Sequence, residues 1–287
     1  MITLQNEKLT MKVALLGAEP QSLYAKESGI EYIWNGDKNF WPRRAPVLFP
    51  MTGPMKEGKM SVSGTVYDMP NNGFARDLVF TLVSQTSTQA TFELQESEKT
   101  LKYYPFGFCL SITYTLLDDG FKAEAEIRAK DDLFFTFGLH PAFSLDINGV
   151  GTALEAYSIE FDKEETVEMK RPVNGVFTTV KHFLNNEKTL NLSREQTDKG
   201  PMILNGLKSK GVTLRSANGK HGVRVDRGNF ETLVLWTIAP MHGQYLCIEP
   251  MHSFGDTARA FALEQMDEVL ALKTGESKRF FSSFFVF

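Results

Sequence analysis

The sequence predicts an all-β protein, a large antiparallel β-sandwich, on three observations. Short runs of β-branched and aromatic residues, drawing on 23 phenylalanines in 287 residues, alternate with polar positions at a period of two. Two pairs of such runs are separated by Asp-Gly or Asn-Gly steps, the turn chemistry of hairpins. No strand–helix–strand alternation, solenoid-period repeat or low-complexity linker interrupts the pattern. Composition does not shift along the chain, so residues 1–287 are expected to form a single domain.

Taken in order, the first unusual stretch runs from Tyr32 to Asp77. It carries Trp34, then Phe40-Trp41-Pro42-Arg43-Arg44-Ala45-Pro46, then Val47 to Pro50, and ends in Asn72-Gly73-Phe74-Ala75-Arg76-Asp77. Its prolines exclude it from a central strand. A loop this dense in Arg, Trp and Asn suits either a polar-ligand site or a cover over a sheet edge. Strands are expected around Ala90 to Leu94 and from Phe108 to Leu116, the latter paired through Asp119-Gly120 with Phe121 to Ala129. A second hairpin joins Gly211–Arg215 to Gly222–Asp226 through Asn218-Gly219. Leu233 to Trp236, Tyr245 to Glu249 and Phe280 to Phe287 complete the strands. Helical signals are weak: a short helix over 258–267 and a turn at 194–200.

The charged fraction of 23% and apolar fraction of 42% are those of a globular protein with a full core. A net charge of −4 without basic blocks argues against a nucleic-acid partner. No apolar run is long enough to span a bilayer, and the first residues lack a signal-peptide pattern, so no membrane partner and a cytoplasmic location are expected. Cys109 and Cys247 lie in apolar runs and are expected as buried free thiols. Whether the chain is a monomer or a homodimer is open at this stage.

His140 sits in Thr136-Phe137-Gly138-Leu139-His140-Pro141-Ala142-Phe143, and the proline after it favours an extended or turn geometry. Alone, that pattern fits a hydrogen-bonded core histidine as well as a catalytic one. Glu249, in an equally apolar strand, supplies a carboxylate partner. With Arg43, Arg44, Asn72, Arg76, His252 and Asp256 these residues offer donors and acceptors together, which suits a small-molecule sugar. Nucleotide-binding glycine loops, a GxSxG elbow and an HExxH pair are all absent. His242 and His252, ten residues apart, do not match a metal-ligand spacing; no metal and no cofactor is expected. His182 and His221 are expected at the surface and His242 in a turn. Glycoside hydrolysis needs two flanking carboxylates, with Asp256 as the candidate second one. Opening and closing a hemiacetal needs one acid and one base, which a histidine and a carboxylate supply without a cofactor.

Four motifs in order, Arg43–Pro50, Asn72–Asp77, Phe137–Leu145 and Cys247–Pro250, resemble those of the aldose 1-epimerase (galactose mutarotase) family, in its bacterial mutarotase-like branch. The resemblance covers nearly the whole chain. It implies an antiparallel β-sandwich with the sugar in a cleft, His140 as general acid toward the ring oxygen and Glu249 as general base toward the anomeric hydroxyl. It also implies Arg43, or its neighbour Arg44, as the substrate-binding arginine, places Arg76 in an active-site motif, and assigns Asp198 to sugar hydroxyls. Asn72 departs from the family's usual histidine, Ser144 from an asparagine, and Met251 from a tryptophan that would offer a stacking surface. Three readings follow: an active aldose 1-epimerase, a weakly active or non-catalytic carbohydrate-binding protein of the same fold, and a hexose 6-phosphate mutarotase using the arginines.

Overall fold

A computed structural model describes residues 1–173, 176–216, 219–239, 244–254, 262–266 and 268–287. Its main feature is a 15-stranded sheet that starts at Val47–Leu48 and continues through Gly138–Leu139, Tyr245–Met251, Thr232–Trp236, Met202–Asn205 and Tyr157–Val173. From there it runs through Gly211–Ser216, Gly222–Asp226, Ser277–Val286, Gly120–Ala129, Phe108–Leu116 and Gln89–Gln95 to Thr81–Gln85. Every ladder between these strands is antiparallel, as the predicted sandwich requires. A four-stranded sheet built from Ile2–Gln5, Leu9–Val13, Pro20–Ala25 and Ile30–Glu31 lies beside it.

Both expected hairpins form. Leu116 pairs with Phe121 across the first turn, and Gly211 with Asp226 at the open end of the second. Gly219 adopts φ +60, the left-handed conformation its turn needs; Asn218 lies outside the described residues. One turn of α-helix at Arg194–Thr197 meets the expected turn at 194–200. Of the helix expected over 258–267, only a 3₁₀ turn at Leu263–Gln265 is present among the described residues; positions 258–261 and 267 lie outside them, as do Asp256 and His242.

The sheet's two halves face each other through aromatic rings. Phe137 stacks on Phe280 and Phe230, while Phe284 lies against Phe121 and Phe143. Period-two alternation explains it, because inward positions such as Ile112, Tyr114, Ala123 and Ala125 are buried while Lys122 and Glu124 face outward. Both cysteines are free and buried. No helix among the described residues is long and apolar enough to cross a membrane.

The Tyr32–Asp77 stretch is ordered by a few specific bonds. Glu19 accepts hydrogen bonds from the Arg44 and Ala45 amides at 2.7 and 2.9 Å. The Phe49 carbonyl accepts from the Phe74 and Ala75 amides, so the second motif is bolted to the first. Gly73 makes that approach possible: a Cβ there would lie 2.2 Å from the Phe49 oxygen, at φ +69. Gly73→Ala is therefore expected to lower stability by about 3 kcal/mol, read as a shift of the urea midpoint at unchanged slope.

Candidate active site

The strand Tyr245–Met251 delivers the carboxylate. Tyr245, Cys247, Glu249 and Met251 fall on one face by the two-residue period. The Gly138–Leu139 strand ends where His140 begins, and the His140 amide donates to the Pro46 carbonyl at 3.1 Å. Ala142 likewise donates to the Arg44 carbonyl, and Ile248 to that of Pro141. These bonds set the arginine-bearing segment, the histidine and the glutamate strand side by side. The result is a contact of 3.4 Å between His140 Nε2 and Glu249 Oε2.

The pair is enclosed: His140 is 8% and Glu249 1% exposed. Burial lowers the imidazole pKa well below its usual range, and the Arg76 and Arg43 charges lower it further. Burial raises the Glu249 carboxyl well above the usual carboxylate range. Both shifts favour an imidazole and a carboxyl that are neutral together and share one proton. Among the described residues, His140 Nδ1 and Glu249 Oε1 are buried without a hydrogen-bond partner.

An aromatic wall surrounds the pair. Trp41 stacks on His140 with centroids 5.0 Å apart and on Tyr245 at 5.5 Å. Trp236 meets His140 edge-on at 5.6 Å, and Trp34 packs on Tyr245 at 4.9 Å. The chain's three tryptophans thus gather at one place. Sequence reasoning singled out none of them as site residues, nor Tyr245. Trp236 reaches the site by pairing with Cys247 across the ladder, a register that the sequence reading did not assign. Trp41 lay in the loop read as suiting a polar-ligand site, but only the loop's path brings it over His140. Met251 does not stack here; it packs on Leu48, Ile203 and Val234, and the aromatic surface comes from the tryptophans instead.

The other expected residues divide. Arg43 and Arg76 both reach His140 electrostatically, and both pair with Asp77, at 2.8 and 3.8 Å. Arg76 also donates to the Asn71 carbonyl at 2.6 Å, and burial brings its pKa down to about 10. Arg44 points away, its guanidinium held by Gln21 and the Asn35 carbonyl. Asn72 sits at φ +62 and accepts from the Gly53 amide through Oδ1 at 2.6 Å, so its acceptor serves the turn. His252, three residues beyond Glu249, faces the other way: its ring lies against Phe280, and its charged neighbours are Glu231 and Lys278. Asp198 is exposed at the C-terminal end of the Arg194–Thr197 turn and makes no recorded contact with the pair. Ser144 donates to the Ile33 carbonyl, a structural bond. His182 is exposed as expected, whereas His221 is only half-exposed, with Nδ1 3.0 Å from the Phe287 carbonyl.

A family profile described as aldose 1-epimerase matches residues 1–264, and the match decides the question. The chain belongs to the aldose 1-epimerase family. Protein LacX (chromosomal) of Lactococcus lactis subsp. lactis is 30% identical over 264 residues, covering 87% of this chain and 86% of LacX. A galactose mutarotase-like protein from Lactobacillus casei superposes with a TM-score of 0.93 at 26% identity, with 100% of both chains covered. A galactose mutarotase related enzyme from Lactobacillus acidophilus gives 0.92 at 25% identity, covering 100% of this chain and 97% of its own. The aldose 1-epimerase assignment and the galactose mutarotase-like sandwich therefore stand together, and the sheet above is that family's fold.

Proposed function

We propose that this protein is a catalytically active aldose 1-epimerase that interconverts the α and β anomers of a hexose, with His140 as acid and Glu249 as base. The 3.4 Å separation of His140 Nε2 and Glu249 Oε2 carries the reading. The ring oxygen and the anomeric hydroxyl are bonded to one carbon, so an acid and a base that serve both belong in one small site, as these two are. In ring opening, Glu249 takes the anomeric hydroxyl proton while His140 protonates the ring oxygen as the C1–O5 bond breaks. The products are the open-chain aldehyde, a neutral imidazole and a protonated carboxyl. Rotation about C1–C2 presents the other face, and closure runs the two transfers in reverse. The pair begins and ends with the same number of protons, so no cofactor is consumed. Burial favours the neutral pair, the form present after opening, so the imidazolium–carboxylate form that starts the reaction is reached by passing one proton from Glu249 to His140 across their contact.

Arg43 and Arg76 orient the sugar hydroxyls beside the imidazole. Trp41 and Trp236 supply apolar faces for the sugar's C–H surface. Since all three tryptophans are at the site, a hexose is expected to change intrinsic fluorescence on titration. Trp41→Ala is expected to raise the KM about tenfold through lost stacking, and an unchanged KM would remove Trp41 from the binding surface. The two arginines favour a second reading, an anionic hexose such as a hexose 6-phosphate as substrate.

Polarimetry of freshly dissolved α-glucose, α-galactose and α-glucose 6-phosphate separates these readings, and no acceleration with any aldose refutes both. The pH profile tests the pair itself. Since the folded His140 pKa is lowered, its second protonation lies well below the ordinary imidazole value of about 6.5, and kcat/KM is expected to show no acid limb near there. A limb at about 6.5 indicates an imidazole that titrates freely and contradicts the enclosed pair.

A further inference from the structure

Cys247 lies two residues before Glu249 on the same strand face, and the sugar chemistry above gives its thiol no task. The Cys247 Sγ, one nitrogen of His140 and one oxygen of Glu249 all fall within 4.8 Å of one another. Among the described residues this is the one group of three or more His, Cys, Asp or Glu ligand atoms so gathered. We infer that His140, Cys247 and Glu249 form a capture site for a single thiophilic divalent cation of the Zn2+ class.

Four features of the site support that inference. The donor set of imidazole, thiolate and carboxylate matches the ligands that Zn2+ prefers and that Mg2+ and Ca2+ do not. Tetrahedral bonds of about 2.0–2.3 Å place neighbouring ligand atoms roughly 3.3–3.6 Å apart. His140 Nε2 and Glu249 Oε2 already stand at 3.4 Å, and the Cys247 Sγ lies no more than 4.8 Å from a nitrogen and an oxygen of the same two residues. Charge also balances: the cation takes the place of the proton shared by His140 and Glu249, and the thiol gives its proton to solvent. One thiolate and one carboxylate then neutralise the two positive charges inside a buried shell. Three protein ligands leave a fourth position for water, and Trp41, Trp236 and Tyr245 enclose the site with apolar surface.

The site stands on this geometry whether or not the chain epimerises a sugar; competition between the cation and a sugar rests in addition on the function proposed above. The test is calorimetric titration of the whole chain with ZnCl2, with MgCl2 as the comparison and no sugar present. Titration with CoCl2, followed in the near-ultraviolet for a thiolate-to-cobalt band, runs alongside. One Zn2+ per chain, no Mg2+ heat and a cobalt band are expected. Cys247→Ala should abolish the band and weaken Zn2+ by more than the about 10–100-fold that loss of an outer-shell partner costs. Cys109→Ala, which removes the chain's other cysteine, should leave both signals in place. His140→Asn should weaken Zn2+ as well. Absence of a cobalt band, or Zn2+ affinity unaltered in Cys247→Ala, overturns the inference. If Zn2+ binds as expected but no aldose is turned over, the cation site survives and the epimerase reading falls.

Discussion

Glu249→Gln is expected to lower kcat by about 10²–10⁴-fold, the range general acid–base catalysis contributes, while leaving the fold in place. Glutamine keeps the volume and the strand position but cannot accept the anomeric proton. The substitution has a second consequence, of opposite sign. The folded-state pKa of Glu249 is raised, so the folded protein holds a proton that the unfolded chain releases above its own value of about 4.3. Stability is therefore lost as pH rises from that value toward the folded pKa. Removing the titrating group is expected to raise the melting temperature at pH 7 relative to wild type, with a smaller gap at pH 4.5. Scanning calorimetry at the two pH values measures this, and a pH-independent loss of stability would show that Glu249 is a structural partner and not a strained catalytic one.

Asn72→His is expected to reduce activity, about tenfold or more, although it installs the histidine that the family resemblance leads one to expect there. Asn72 occupies left-handed backbone space at φ +62, its Oδ1 takes the Gly53 amide, and its own amide donates to the Gly53 carbonyl. Histidine tolerates that conformation less well, and its ring nitrogen lies farther from its Cα than the asparagine oxygen does. Losing a buried amide's acceptor costs about 1–3 kcal/mol, and the turn it closes leads directly to Gly73 and Arg76. Asn72→Asp keeps the acceptor and is expected to retain the melting temperature. A gain in kcat for Asn72→His would mean that the turn is incidental and that the asparagine is a catalytic deficit.

His140 and Glu249 stood out as candidates in the sequence because each is a polar residue embedded in a short apolar run. The same period-two reading excludes His252, since an offset of three places it on the opposite face, and includes Cys247 at an offset of two. That the Arg44 guanidinium turns to Gln21 and the Asn35 carbonyl while Arg43 pairs with Asp77 was not legible, because residues distant in the chain decide it. The placement of Trp41 over His140 was illegible for the same reason: it follows from where a loop crosses, not from any local pattern. The long hairpin Tyr157–Val173 with Val176–Asn191 was also missed. Register shifts around Glu165 and Val167 break its alternation, and the charged run Asp162–Glu165 reads as a loop. Glu165 is nonetheless fully buried, accepting the Lys208 and Ser209 amides at 3.0 and 2.7 Å. Its role is tertiary.

The most direct test of the central claim is two-dimensional exchange NMR on the anomeric protons of glucose and galactose at equilibrium, with wild type, His140→Asn and Glu249→Gln compared at matched concentration. Cross-peaks between α and β anomers are expected to build up with the wild-type protein for at least one hexose and to fall to the buffer rate in both variants. Exchange that persists undiminished in either variant would contradict the assignment of His140 and Glu249 as the acid and the base.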